Sequence, residues 1–279
     1  MNQMSDTQKE FARNAASQVG SLFFGDNLVL KSGRKSPYFF NAGVYGEKAS
    51  SRYQLSKGYA HIICNMMNSE LYGKKLDFIF GPAYKGIQLG DDVTMTLLRD
   101  HGIDLGFVYD RKEAKTHGEG SLGAVDLNGA KIKDGQNFVL IDDVGTTMDT
   151  KYESLDKIKS YCDAKKINVN CVGIIIAVDR QEGVTPKYNG GILPEGLSDD
   201  ELDFWRSENR IPDSKREDAI GTFMKKTNIP VKAILPIVPA VNYLYEERIP
   251  VLVNGVREPL SKERKELFDS YIDMYGVNR

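Results

Sequence analysis

Cysteine is scarce in this chain. Only Cys64, Cys162 and Cys171 occur in 279 residues, widely spaced and without a CxxC pair. That excludes a disulfide-stapled scaffold and reads as reduced structural thiols in a cytoplasmic protein. Long hydrophobic runs are missing too. The longest, Cys171 to Val178, falls far short of the roughly 20 residues a bilayer span needs, so no membrane partner is expected. The first residues lack a basic-then-apolar stretch, and no signal segment is expected. Neither sign of charge dominates: 37 Lys+Arg face 39 Asp+Glu, a net charge of −2 that argues against a nucleic-acid partner. Tryptophan occurs once, and no internal repeat or low-complexity tract is visible. What remains, 41% hydrophobic and 27% charged residues, is ordinary globular composition.

Periodicity gives the order of elements. Ser5 with Gln8 three residues on is a capping-box signal, and Phe11, Ala12, Ala15, Ala16 and Val19 follow at helical spacing until Gly20. A second helix is predicted over about 51–68. Strand and helix then alternate: strand 78–80 ending at Gly81-Pro82, helix 87–98, strand 105–109, strand 138–141, helix 150–161 and strand 169–178. Strands without polar alternation, separated by helices, predict an α/β fold whose parallel sheet is covered on both faces. Strand 231–238 and a closing helix 261–275 complete the order. Two polar segments interrupt it. Residues 110–123 carry glycines at 118, 120 and 123 among several cations and read as a mobile loop. Residues 185–218 read as an acidic surface insertion, with nine acidic and four basic residues between Glu195 and Asp218.

The segment Phe138-Val139-Leu140-Ile141-Asp142-Asp143-Val144-Gly145-Thr146-Thr147-Met148-Asp149-Thr150 carries the strongest chemical signal. A buried strand ends in adjacent carboxylates, and a hydroxyl-rich turn then opens a helix. Ligands of open α/β sheets bind at the carboxyl ends of strands. Backbone N–H groups at a helix start favour phosphate, and adjacent carboxylates suit neighbouring ribose hydroxyls. The same residues also serve simply to end a strand and cap a helix. Arg111, Lys112, Lys115 and His117 place four cations within seven positions of the 110–123 loop. Such a loop can close over an anionic leaving group and exclude water.

This segment resembles the phosphoribosyl pyrophosphate (PRPP) signature of type I phosphoribosyltransferases. Three more segments, and the short run Val178-Asp179-Arg180-Gln181-Glu182, narrow the resemblance to the orotate phosphoribosyltransferase family. They are Lys31-Ser32-Gly33-Arg34-Lys35-Ser36-Pro37-Tyr38-Phe39-Phe40-Asn41, Phe80-Gly81-Pro82-Ala83-Tyr84-Lys85-Gly86 and Asp110 to Gly120. The resemblance implies one domain over 1–279 with the type I phosphoribosyltransferase fold: a central, mostly parallel sheet flanked by helices, with a small hood from the N-terminal segment and a mobile lid. It implies transfer of the phosphoribosyl group of PRPP to orotate, giving orotidine 5′-monophosphate and pyrophosphate. It also implies a homodimer, and Mg²⁺ that arrives mainly bound to PRPP rather than in a protein metal cage. A purine-type phosphoribosyltransferase and a non-catalytic PRPP-binding regulator are the alternatives. The 31–41 motif disfavours the first, and the complete set of lid cations disfavours the second.

Carried onto this chain, the resemblance gives Lys115, His117 and Asp143 catalytic roles. PRPP would meet Lys31, Tyr84, Lys85, Arg111, Lys112, Lys115, His117, Asp142 and Asp143, and the turn Val144, Gly145, Thr146, Thr147, Met148, Asp149 and Thr150. Orotate would meet Phe39, Phe40, Thr146 and Arg180, although Arg180 can equally pair with Glu182. The chain departs from the family at Met148, Asp149 and Gly145. The expectation is that Asp149 turns away to flank the helix N-terminus, where a carboxylate is favourable, and that Gly145 supplies the backbone freedom absent at 148. Because Lys115 is central in the cationic lid, Lys115→Ala is expected to fold normally and to lose roughly 100-fold or more in kcat, the scale of one transition-state donor. Steady-state kinetics with near-normal turnover would refute the role.

Overall fold

The computed structural model describes residues 4–18, 20–30, 34–69, 75–111, 127–145, 147–183, 200 and 217–277. Helix α1 (Asp6–Arg13) begins at Ser5, whose hydroxyl accepts from the Gln8 amide while the Gln8 side chain accepts from the Ser5 amide. Strands β1 (Leu22–Val29) and β2 (Lys35–Phe40) form an antiparallel pair, and the long helix α2 (Ala49–Ser69) follows. The alternating core comprises β3 (Phe78–Gly81), α3 (Lys85–His101), β4 (Gly106–Asp110), β5 (Leu127–Gly129), β6 (Gln136–Gly145), α4 (Asp149–Lys165) and β7 (Val169–Asp179). After the insertion come α5 (Ala219–Thr227), β8 (Val231–Pro236), α6 (Ile237–Glu246), the hairpin β9 (Val251–Val253) and β10 (Val256–Glu258), and α7 (Lys262–Tyr275).

Six strands form the main sheet in the order β5-β4-β3-β6-β7-β8, parallel throughout except for β5. Its central strands show no polar alternation because both faces are covered. Val139, Ile141, Ile175 and Ala177 join one core, with α1, α2, α3, α6 and α7. Phe138, Leu140, Ile174 and Ile176 point the other way and join a second, with α4 and α5. Each fully buried side chain of this size contributes about 1.5–3 kcal/mol. These two layers hold the strand ends that carry the site.

Three differences from the sequence expectation bear on the site and its surroundings. Strand β6 does not stop at Ile141 but runs to Gly145, because β7 pairs with it as far as Gly145↔Asp179. Strand β8 stops at Pro236, and Val238 lies in α6, where its amide donates to the Gln181 side chain at 2.9 Å. The hood is not built by the N-terminal segment alone. A second sheet, ordered β10-β9-β1-β2, brings the chain's C-terminal third beside β1. Its hairpin turns on Asn254-Gly255, with φ of 46° and 86°, the left-handed pair that a two-residue turn requires. The acidic insertion lies almost wholly outside the described residues; at its end, Asp218 caps α5 by accepting from the Gly221 amide at 2.9 Å.

The turn from β3 into α3 depends on close backbone contact. A Cβ on Gly81 would lie 2.0 Å from the Gly86 carbonyl oxygen, so the strand end and the first helical turn touch without side chains. Gly81→Ala is therefore expected to destabilise the fold by about 1–3 kcal/mol, the usual cost of overpacking. Urea denaturation measures it, and an unchanged midpoint would contradict this packing.

Candidate active site

The carboxyl ends of β3, β4, β6 and β7 share one edge of the main sheet, because all four strands are parallel. At that edge stand the Pro82–Lys85 turn, Asp110, the acids of β6 and Arg180. Buried Asp110 organises the first turn. Its carboxylate accepts from the Ala83 amide at 2.7 Å and from Lys157 Nζ at 2.5 Å.

Because β6 continues past Ile141, strand alternation sends its two acids to opposite faces. Asp142 follows Phe138 and Leu140 toward α4. Asp143 follows Val139 and Ile141 toward α3. The two acids therefore lie within the strand, on its opposite faces, rather than in a turn after it. Asp142 Oδ2 accepts from Lys151 Nζ at 2.5 Å, and Asp142 Oδ1 from the Asp143 amide at 2.9 Å. Lys151 is only 3% exposed; its ammonium also donates to the Val144 carbonyl at 2.8 Å and to the Thr150 hydroxyl at 3.3 Å. Tyr59 from α2 donates to the Asp142 carbonyl at 2.6 Å. Burial, with Asp142 and Asp143 nearby, pushes its phenol well above the usual range, so it remains a donor. On the other face, Lys85 Nζ donates to Asp143 Oδ2 at 2.8 Å, which raises the lysine pKa. Asp143 Oδ1 accepts from the Val144 amide.

The turn into α4 resolves the expectations about its unusual residues. Met148 itself takes the left-handed conformation, φ 64°, and its side chain is buried. Gly145 has a different role from the one expected. It is extended, and a Cβ there would lie 3.0 Å from the end of Ile176 and 3.1 Å from that of Ile220, so the glycine fits a tightly packed spot rather than supplying backbone freedom. Asp149 is the first residue of α4, and its carboxylate accepts from the Thr147 hydroxyl at 2.7 Å, as expected for a residue that flanks the helix start. The start of α4 is the kind of helix terminus that suits an anion, although the Lys151 amide already donates to the Met148 carbonyl at 2.9 Å. Thr146, Lys31, Lys112, Lys115 and His117 lie outside the described residues. Arg111 and Tyr84 are exposed at the same edge.

Strand alternation also separates the two phenylalanines of β2. Phe40 is core, 6% exposed and packed near Tyr45, whereas Phe39 is half-buried beside Phe23. Arg180 lies over neither of them but over the ring of Tyr38, 5.0 Å away, and pairs with Glu182 at 2.9 Å. Sequence reasoning missed Lys151, Tyr59, Asp110 and Tyr38. For Lys151 a signal existed: it shares a helical face with Ser154, Ile158 and Cys162, all buried. Among the described residues, no group of three or more His, Cys, Asp or Glu is placed to hold a metal ion. Among them, too, no helix is long and apolar enough to cross a membrane.

Comparison with known proteins adds an independent finding. The model of the phosphoribosyl transferase domain matches residues 52–192. An orotate phosphoribosyltransferase of Bifidobacterium adolescentis is 38% identical over 162 residues, 58% of this chain and 65% of that protein. One from Clostridium botulinum is 32% identical over 260 residues, 93% of this chain and 94% of that protein. The crystal structure of orotate phosphoribosyltransferase from Francisella tularensis superimposes with a TM-score of 0.64 at 27% identity, covering 99% of each chain.

Removing one partner of a buried ion pair leaves an uncompensated charge. Lys151→Met is thus expected to cost about 3–5 kcal/mol of stability. Adding Asp142→Asn should recover much of that loss. Denaturant midpoints of the single and double variants measure this, and additive losses would show that the two side chains are not coupled.

Proposed function

The chain belongs to the phosphoribosyltransferase family and within it to the orotate phosphoribosyltransferases, and from that membership we propose that it transfers the phosphoribosyl group of PRPP to orotate. The products are orotidine 5′-monophosphate and pyrophosphate, in de novo pyrimidine (UMP) synthesis. One observation of the site carries the reading: the acidic end of β6, the Lys85 turn and the start of α4 converge on one sheet edge, with Lys85 2.8 Å from Asp143.

The transition state of glycosyl transfer is oxocarbenium-like, so the protein must position two substrates and stabilise charge. The 5′-phosphate sits at the α4 N-terminus, on the amides of the 144–150 turn and its threonines. Asp142 and Asp143 accept from the ribose hydroxyls across the end of β6. A carboxylate offers about four acceptor sites, so their protein partners leave capacity. Lys151 keeps Asp142 oriented. Lys85 is 69% exposed at its side chain, and its bond to Asp143 is worth about 0–1 kcal/mol, so it exchanges readily onto pyrophosphate. Tyr84 flanks that position, Arg111, Lys112, Lys115 and His117 are the loop cations assigned to the leaving group, and Lys31 is a further cation for PRPP. Phe39 offers the orotate ring an apolar surface, and Arg180 the matching cation.

The donor set suits Mg²⁺ held through PRPP. Asp142 and Asp143 already share their oxygens with lysines, which leaves room for water-mediated contact rather than direct ligation. When bound, the ion neutralises pyrophosphate charge. A homodimer in the cytoplasm, one domain over 1–279 and a peripheral role for residues 185–218 belong to the same proposal.

The test is direct. Purified protein given orotate, PRPP and Mg²⁺ should consume orotate and release pyrophosphate in equal amounts. Asp143→Asn should lose roughly 100-fold in kcat. Consumption of a purine base in place of orotate would overturn the reading.

A further inference from the structure

The C-terminal helix reaches the proposed orotate site from the far end of the chain. Glu182, at the end of β7, is buried with 7% of its side chain exposed and collects four groups. Its Oε1 accepts from the Tyr38 hydroxyl at 2.5 Å and from Arg180 Nε and Nη2 at 3.1 and 2.9 Å. Its Oε2 accepts from the Tyr271 hydroxyl of α7 at 2.9 Å and lies 3.5 Å from Arg34. Burial and the Glu182 carboxylate push the Tyr271 phenol up to about 12, so it stays a donor at working pH.

Helix α7 is fastened to this turn by its backbone as well. The Gly183 amide donates to the Tyr275 carbonyl at 2.8 Å and the Val277 amide to the Gln181 carbonyl at 2.9 Å. Phe268 and Tyr271 pack edge-on against the Tyr38 ring at 5.4 and 6.1 Å. The guanidinium of Arg180 has five N–H donors in a fixed fork. Among the described residues its partners take Nε and one Nη2 hydrogen, which leaves three donors on a side chain 14% exposed. A rigidly oriented, mostly desolvated fork with donors in reserve suits a planar carboxylate.

We propose that α7 is a positioning element for the base: Tyr271, acting through Glu182, sets the Arg180 fork for a planar anionic base and so determines the preference for orotate over a neutral pyrimidine. The inference rests on the assignment of Arg180 to orotate. Tyr271 does not touch the base; it acts by fixing Glu182.

The test is Tyr271→Phe, which keeps the ring and removes one hydrogen bond to a charged group. The KM for orotate should rise roughly three- to tenfold. The KM for PRPP and the kcat at saturating orotate should stay within about twofold, and the ratio of kcat/KM for orotate over uracil should fall by a similar three- to tenfold. Glu182→Gln should show the same split more strongly. If Tyr271→Phe folds with an unchanged orotate KM, or raises both KM values alike, the positioning role is refuted. Arg180→Lys separates the two levels. An unchanged orotate KM there removes Arg180 from the base and this inference with it. A raised KM there beside a normal Tyr271→Phe refutes only the role of α7.

Discussion

Two neighbouring carboxylates at the end of a central β-strand must each find a cation, and the site is arranged around that requirement. Asp142 and Asp143 meet the demand differently. Asp142 is paired with Lys151, whose side chain is 4% exposed, and Asp143 with Lys85, whose side chain is 69% exposed. Breaking a buried pair by losing one partner costs about 3–5 kcal/mol, whereas an exposed pair is worth about 0–1 kcal/mol. The first pair is therefore part of the framework, tying the strand end, the Val144 carbonyl and the first turn of α4 together. The second is exchangeable, which is what a lysine needs if it is to transfer its charge to an incoming pyrophosphate.

The same division recurs around Arg180. Glu182 binds Arg180 while two tyrosines and Arg34 hold Glu182. These partners come from β2 and the residue before it, the residue after β7, and α7, which are remote in sequence. The parallel pairing of β1 with β9 and the docking of α7 on Tyr38 bring β2 and α7 together at one edge of the main sheet. The Asp142–Lys151 pair and the Glu182 cluster are largely buried, so the hydrogen bonds there are stronger than at the surface.

Much of the main sheet was legible from residue order because its signals are local. Uninterrupted apolar runs at 138–141 and 169–178 become strands buried on both faces, and Ser5 with Gln8 forms the capping box its spacing implies. The misplaced boundaries have a common cause. The end of β6 depends on how far β7 runs beside it, and the end of β8 on where Pro236 and Gln181 let a helix begin. The composition of the hood was hidden for a related reason. Strand β9 is three residues long and joins the hood by pairing with β1 and β10, and the Asn254-Gly255 turn signal of its hairpin was passed over.

For the site, the residue types were determined by the sequence itself: an acidic pair after an apolar strand, a lysine after Gly-Pro, a hydroxyl-rich turn and an arginine after β7 form one collinear pattern. Which partner each of them takes was decided only by the tertiary structure. Period-two alternation along a strand two turns of pleat longer than expected parts Asp142 from Asp143. Helical periodicity buries Lys151 beneath the first, and the return of α7 closes Glu182 over Arg180. Residue order specifies which charges are present. Their pairing depends on distance and burial, and those exist only once the sheets have formed and α7 has docked on β2.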